Sequence, residues 1–137
     1  MASVLKVNTL TGVTTAGSIV VTGEGNSTTT NLQQGLAKAW ANYTSDTTTA
    51  YRDSFNFASI TDNGTGDTTH TFTNAMSNND YSVVSSASAV ETGTGSLGGS
   101  EHPRTYATAS FSHVTATGSA SLADRPHVNN EVLGDLA

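Results

Sequence analysis

Apolar and polar side chains alternate loosely near the start of the chain. Residues 4–10 read Val-Leu-Lys-Val-Asn-Thr-Leu, Thr11-Gly12 follows as a turn, and residues 18–23 read Ser-Ile-Val-Val-Thr-Gly. This pattern predicts two short strands, and neither can bury itself alone. We therefore expect an extended arm that is stabilised by other copies of the chain or by a neighbouring sheet edge. The arm residues expected to become buried on assembly are Val4, Leu5, Val7, Leu10, Ile19 and Val21.

A polar, glycine-containing stretch at residues 24–30 resembles a hinge. We place a boundary there, with an extended arm over residues 1–30 and a β-domain over residues 31–137. Residues 31–40 allow two interpretations: a short helix with Asn31 as its N-cap, or a turn that leads into a strand from Ala37 to Tyr43. Gly35 favours the strand. A strand is also favoured because Lys38, Trp40 and Asn42 alternate along the chain with Ala39, Ala41 and Tyr43.

The clearest local signal is a β-hairpin in the middle of the chain. Its strands are predicted at residues 55–60 and 70–73, and the segment Asp62-Asn63-Gly64-Thr65-Gly66-Asp67 joins them. Asn-Gly between alternating runs favours a tight turn because both residues tolerate positive φ. Three phenylalanines, Phe55, Phe57 and Phe72, are predicted to share one face.

Further strands are predicted at residues 81–90 and 106–114, with a glycine-rich loop over residues 91–104 between them and a final short strand within residues 128–137. About six strands then follow the arm, which favours a small β-sandwich or jelly-roll-like domain. The aromatic residues predicted for its core are Trp40, Phe55, Phe57, Phe72, Tyr81 and Phe111.

Composition supports an all-β fold. The chain of 137 residues contains 24 Thr, 17 Ser, 13 Gly and 11 Asn, and only 12% of its residues are charged. Threonine fits a pleated, half-exposed surface, while glycine and asparagine occupy turns. The length allows one domain with a modest core, or a small domain with an extended arm.

Charge and cysteine content exclude several classes of partner. The net charge is -6 and the five basic residues are scattered singly, so we expect no nucleic-acid binding. No apolar run approaches the ~20 residues of a membrane span, and we expect neither a leader nor membrane insertion. Without cysteines, a small β-fold needs burial or oligomerisation for its stability, and oligomerisation is the better expectation because the predicted core is thin.

No candidate chemical site has the context that its chemistry needs. Gly93-Thr94-Gly95-Ser96-Leu97-Gly98 has the spacing of a dinucleotide fingerprint, but the sequence after it cannot open a helix. The 62–67 segment offers oxygen ligands without the spacing of a calcium loop. The four histidines form no close pair, although one from each subunit could meet on a trimer axis. No nucleophile elbow or carboxylate pair stands out, so we expect no enzyme activity, no cofactor and no metal site.

Three segments of the chain carry a resemblance to a known group of proteins. They are Val4-Leu5-Lys6-Val7-Asn8-Thr9-Leu10-Thr11-Gly12, residues 30–40, and the block from Arg52 to Asp67. Together with the ending Gly134-Asp135-Leu136-Ala137, they resemble small tail-fibre-like virion structural proteins of marine tailed phages. The resemblance implies an N-terminal piece that attaches to the particle and a displayed C-terminal β-domain, commonly in a trimer. The loop at 91–104 and residues 126–130 depart from that pattern.

The sequence therefore predicts a homotrimeric fibre or surface appendage of a phage virion, made in the host cytoplasm and bound to other tail or capsid proteins. A first alternative is a capsid decoration (cement) protein whose arm pins neighbouring capsomers. A second is a glycan-binding or depolymerising tip that acts on the host surface, for which tyrosines such as Tyr51 and Tyr106 permit sugar stacking.

Overall fold

The computed structural model describes residues 4–12, 19–22, 29–88 and 101–137. These residues form ten strands and no helix, and every strand pair is antiparallel, so the prediction of an all-β protein is confirmed. The chain divides into two compact units, Met1–Leu36 and Ala37–Ala137. The strands are β1 Val20–Thr22, β2 Thr29–Asn31, β3 Ala39–Thr44, β4 Ala50–Phe55, β5 Phe57–Gly64, β6 Asp67–Phe72, β7 Ser82–Ser88, β8 Glu101–Ala107, β9 Ser110–Thr115 and β10 His127–Leu133.

The first unit contains a two-stranded sheet in which β1 pairs with β2. The backbone N–H of Leu32 donates to the carbonyl oxygen of Ile19 at 2.9 Å and lengthens this ladder by one bond. The predicted second strand is thus confirmed. Residues 4–10, expected to form a strand by pairing with other copies or with a sheet edge, form no strand in the single chain. Thr29 and Thr30, expected in the hinge, belong to β2, and residues 24–28 lie outside the described residues.

Asn31 begins a turn rather than a helix. Its Oδ1 accepts hydrogen bonds from the backbone N–H groups of Gln33 at 2.8 Å and Gln34 at 3.2 Å, as an N-cap side chain does. The chain nevertheless continues through a turn to Leu36 and enters β3 at Ala39. The interpretation as a turn followed by a strand is confirmed.

The second unit consists of two four-stranded sheets. The first sheet has the strand order β4-β3-β10-β7, and the second has the order β5-β6-β9-β8. Residues from both sheets pack into one hydrophobic core, so the arrangement is sandwich-like. The core cluster comprises Ala39, Phe72, Met76, Tyr81, Phe111 and Val132, with Phe57, Val83 and Tyr106 packed against it.

Asn56 turns the chain from the first sheet into the second. It lies between β4 and β5 with a φ of 60°, a left-handed conformation that asparagine tolerates better than most residues. Its side-chain amide donates to the carbonyl oxygens of Lys38 at 2.9 Å and Asn74 at 3.1 Å, which holds the corner. Because the chain changes sheet here, Phe55 is exposed while Phe57 packs on the core, and the prediction that both share a face with Phe72 is wrong for Phe55.

Trp40 lies outside the core, which corrects a second aromatic prediction. In β3 the residues that face the second sheet are Ala39, Ala41 and Tyr43, and all three are buried. Trp40 alternates with them and is 39% exposed. Since successive side chains of a strand point to opposite faces, burying Tyr43 places Trp40 on the outer face.

The predicted central hairpin is confirmed as β5–β6, but its turn lies two residues later than expected. The turn residues are Thr65 and Gly66, and Gly66 has a φ of 64°. Asn63-Gly64 ends β5 instead, with an irregular register between Asp62 and Gly64. The second glycine is required at the turn, because a Cβ on Gly66 would lie 2.6 Å from the backbone nitrogen of Ala123.

Two strands were missed, so the second unit has eight described strands rather than about six. β4 was not predicted, and the single strand expected over residues 106–114 is the end of β8 and most of β9, joined at Thr108–Ala109. Residues 101–104, predicted as loop, belong to β8. Pro103 lies within β8, which is an edge strand, where a missing N–H is tolerated. The predicted C-terminal strand is confirmed as β10, at the centre of the first sheet.

Candidate functional site on the outer face of the first sheet

The residues predicted to be buried on assembly are mostly exposed in the single chain. Val4 and Leu5 are 75% and 78% exposed, and Val7, Leu10 and Val21 are also among the exposed large hydrophobic residues. Ile19 is half-buried beside the β1–β2 pair. Val20, which is not among the predicted assembly residues, is exposed as well. The first unit therefore presents apolar side chains to solvent at every predicted assembly position except Ile19.

A second exposed feature is a row of side chains that crosses the outer face of the first sheet. Val84 on β7 pairs with Glu131 on β10, Glu131 pairs with Trp40 on β3, and Trp40 pairs with Phe55 on β4. All four are exposed. We call these four residues the Trp40 row; it joins three apolar side chains to one carboxylate.

A polar row lies beside the Trp40 row, two residues away from it on each of the four strands. Ser86, Asn129, Asn42 and Asp53 are successive partners across the same four strands, and we call them the Asn42 row. The side-chain amide of Asn42 donates to Oδ1 of Asn129 at 2.7 Å, and the amide of Asn129 donates to Oγ of Ser86 at 3.4 Å. The amides thus form a chain of hydrogen bonds along the row.

The two rows border an open groove of about 480 Å³. Its outward-facing walls are Trp40, Asn42, Val84, Ser86, Asn129 and Glu131. An aromatic ring, two amides, a hydroxyl and a carboxylate therefore converge on one surface depression. Small-molecule sites usually combine apolar walls with a few fixed polar groups, and the groove has both.

A polar cluster lies in the interior, between the two sheets. Tyr51 Oη donates its only proton to the carbonyl oxygen of Ser59 at 3.0 Å, so Nδ1–H of His70 donates to Tyr51 Oη at 3.0 Å. Nε2 of His70 is then an acceptor, with Thr68 Oγ1 at 3.2 Å. Tyr43 Oη shares a hydrogen bond with Nδ1 of His113 at 2.9 Å.

Burial keeps both interior histidines neutral. It lowers the pKa of His70 to about 3, with a further contribution from the adjacent His113, and it lowers the pKa of His113 to about 4. The same burial raises the pKa of the Tyr43 hydroxyl. His70 and His113 are fully buried, so neither ring is open to a molecule in solvent. The cluster acts within the core and offers no accessible acid or base.

Tyr51 and Tyr106, the tyrosines suggested for sugar stacking, pack their rings against other aromatic residues of the domain. The Tyr51 ring stacks on Phe57 with centroids 5.6 Å apart, and its hydroxyl is bonded as described above. The Tyr106 ring lies 5.1 Å from that of Tyr81. The outward-facing aromatic residue of the first sheet's groove is Trp40 instead, and the strict alternation around Ala39, Ala41 and Tyr43 was the sequence signal that could have found it.

The segment considered for calcium is bonded to protein donors. Asp62 accepts hydrogen bonds from the backbone N–H of Gly64 at 2.8 Å and from the hydroxyl of Thr49 at 2.9 Å. The Gly64 bond, followed by that of Thr49, lowers the pKa of Asp62. Asp67 forms an ion pair with Arg104 at 3.2 Å. These carboxylates therefore stabilise the hairpin, as the turn interpretation requires.

Neither metal nor membrane features are visible in the part of the chain that the structure describes. No group of three or more His, Cys, Asp or Glu residues there is placed to hold a metal ion. His70 and His113 are buried in the interior, whereas His102 is exposed. No helix within the described ranges is long and apolar enough to cross a membrane. The glycine fingerprint at 93–98 lies outside the described residues.

Comparisons with known proteins give no relative. No protein-family model, no curated protein and no solved structure matches the chain.

Proposed function

We propose that this chain is a non-enzymatic structural protein of a tailed-phage virion, which assembles as a homotrimer and forms a fibre or surface appendage. Its N-terminal arm, residues 1–30, attaches to other virion proteins or joins a three-chain stalk. Its β-domain, residues 31–137, is displayed as a β-sandwich. The observation that carries the proposal is the exposure of branched apolar side chains in the arm.

The arm residues predicted to be buried on assembly are apolar, yet most of them are exposed to solvent in the single chain. Burying one leucine or valine side chain contributes about 1.5–3 kcal/mol, and contiguous exposed apolar residues mark interaction sites. A strand pair of three residues each is too short to be stable alone. Packing between copies of the arm would bury the exposed apolar side chains and would also stabilise the short strand pair. We therefore assign the arm to assembly.

The β-domain has what a displayed module needs. All residues of its core cluster come from the second unit, so its hydrophobic core does not depend on the arm residues. Two of its four histidines, His70 and His113, are buried and offer no accessible acid or base, which supports a binding role over catalysis. The resemblance of residues 4–12, 30–40 and 52–67 to tail-fibre-like virion proteins supports the same assignment.

The proposal is tested by the mass of the full-length chain in solution. We expect sedimentation equilibrium to give a trimer, and we expect the variant Leu5→Asp with Leu10→Asp to sediment as a monomer with an unchanged far-UV circular dichroism spectrum. The matched control is Thr9→Asp with Thr11→Asp, which adds the same charge at exposed polar positions of the same segment. It should remain trimeric.

Two results would contradict the proposal. One is a wild-type chain that stays monomeric at every concentration tested. The other is an arm variant that keeps the wild-type mass, because the exposed leucines would then play no part in association.

A further inference from the structure

We propose that the groove on the outer face of the first sheet binds a neutral oligosaccharide, with a sugar ring stacked on Trp40. The binding itself is a property of the folded β-domain and depends only on the geometry and charge of its groove. Only its use, to hold the particle on a host or to a glycan coat, rests on the proposed function.

The aromatic side of the site is Trp40. A pyranose ring has an apolar C–H face, and an indole is the largest apolar surface that a side chain can offer it. Trp40 occupies the middle of its row, with Glu131 and Val84 on one side and Phe55 on the other. It remains 39% exposed although it is the single tryptophan of the chain. Its ring thus lines an open groove instead of the core.

The polar side of the site is the pair of amides. Each asparagine side chain has two N–H donors and a carbonyl oxygen with two acceptor positions, and the bond between Asn42 and Asn129 uses one donor of the first and one acceptor position of the second. Donors and acceptors therefore remain on both residues. Sugar hydroxyl groups both donate and accept, so adjacent hydroxyls match an amide pair whose spacing is fixed by the strands.

Charge selects among saccharides. None of the groove-lining residues is basic, and Glu131 adds a carboxylate that accepts hydrogen bonds from hydroxyl groups. Asp53 ends the Asn42 row with a second carboxylate, and the chain has a net charge of -6. Sialylated, sulfated or phosphorylated saccharides would meet like charge in a groove that no basic residue lines. The groove therefore favours uncharged sugars.

The platform is preorganised. The walls lie on β3, β10 and β7, and the inward residues of the two central strands, including Ala39, Ala41, Val128 and Val132, are buried. A ligand then needs to order little of the protein, and less ordering costs less affinity. A second copy of the chain fits the face less well, because two surfaces that each carry exposed Glu131 and Asp53 carboxylates would face each other.

The experiment uses the full-length chain and the emission of its one tryptophan, which reports directly on the groove. The probes are neutral oligomers of glucose, galactose, mannose and N-acetylglucosamine, each with a sialylated or sulfated counterpart. We expect at least one neutral oligomer to shift the Trp40 emission saturably and its charged counterpart to bind more weakly.

Variants then locate the binding. Measured by isothermal titration calorimetry, Trp40→Ala and the double change Asn42→Ala with Asn129→Ala should each weaken binding about tenfold or more, a free-energy loss of ~1.4 kcal/mol. Trp40→Phe keeps a smaller ring and should bind at an intermediate level. Two controls should retain wild-type affinity. Leu122→Ala removes another exposed apolar side chain, and Asn63→Ala removes an exposed amide of the second sheet that bonds to Asp67 and Thr69.

The inference is overturned if no neutral oligomer changes the emission, if Trp40→Ala binds as the wild type does, or if the charged saccharides bind better. It is equally overturned if the emission of the Leu5→Asp, Leu10→Asp variant depends on protein concentration without sugar, since a second copy would then occupy the groove. These results leave the arm test untouched, because the arm variants change association and not the groove.

Discussion

At the scale of single residues, the interior of the domain is unusual in holding polar rings among apolar ones. The His70 ring stacks on Phe111 with centroids 5.0 Å apart, and it is hydrogen-bonded to Tyr51. Nε2 of His113 and Oδ1 of Asn130 are buried without a hydrogen-bond partner among the described residues. Each unsatisfied buried polar atom costs about 1–3 kcal/mol of stability. Protonating a buried histidine would add a charge to a core that already carries this cost.

The first prediction concerns acid sensitivity. The unfolded chain protonates its histidines near pH 6.5, whereas the folded chain keeps His70 and His113 neutral down to about pH 3 and 4. Their contribution to the free energy of unfolding is therefore fully present above pH ~6.5 and is lost as the pH falls below it, by up to ~1.4 kcal/mol per pH unit for each histidine. Urea unfolding at pH 7.5 and at pH 4.5 measures the difference.

The variant His70→Phe isolates one of the two groups. It keeps an aromatic ring beside Phe111 and removes one titrating site, so the loss of stability between the two pH values should be smaller than in the wild type. The absolute stability at pH 7.5 is expected to fall, because Tyr51 and Thr68 lose a partner. An equal loss in both proteins would show that the buried ring does not govern the acid response.

At the scale of elements, the fold depends on a few positions where the chain turns with positive φ. Asn56 carries it from one sheet to the other, and Gly66 closes the β5–β6 hairpin against Thr115 and Ala123. The backbone N–H of Thr115 donates to the carbonyl oxygen of Gly66 at 2.9 Å, and the backbone N–H of Gly66 donates to a carboxylate oxygen of Asp124 at 2.7 Å. The hairpin is thereby fastened to β9 and to the segment before β10.

The second prediction tests that fastening. In Gly66→Ala the new methyl group would overlap the backbone of Thr115 and Ala123, so the hairpin must move away from β9. We expect a loss of at least ~2 kcal/mol in the free energy of unfolding, at the upper end of what single substitutions cost. Thermal and urea denaturation measure it.

The control for that variant is Gly64→Ala. Gly64 also has positive φ, at 124°, but a Cβ there would have no neighbour within 4 Å. Its cost therefore comes from backbone strain alone, and the variant leaves the contact with β9 in place. A Gly66→Ala variant that unfolds with the wild-type free energy would contradict the account of the turn.

At the scale of the whole molecule, the sequence predicted the fold class better than it predicted the site. Threonine-rich alternation and turn residues were enough to indicate antiparallel sheets, the central hairpin and β10. Phe55 and Trp40 were misplaced because their faces are fixed by the sheet change at Asn56 and by the burial of Tyr43. Both features depend on tertiary structure, which the local alternation of residues does not reveal.

The groove was missed for the same reason. Its walls come from β3, β7 and β10, which are separated along the chain and become neighbours only in the strand order of the first sheet. Asn42 and Asn129 are 87 residues apart in sequence, yet their side chains are hydrogen-bonded. No motif of fixed spacing can describe such a site.

The proposed virion role is tested most directly by searching purified tailed-phage particles for this chain and determining its copy number and position by cryo-electron microscopy with symmetry expansion. We predict groups of three at the tail or at a vertex, on the order of tens of copies in all, with residues 1–30 toward the particle and the β-domain outward. A chain spread over the shell in hundreds of copies, or absent from the particle, would contradict the account.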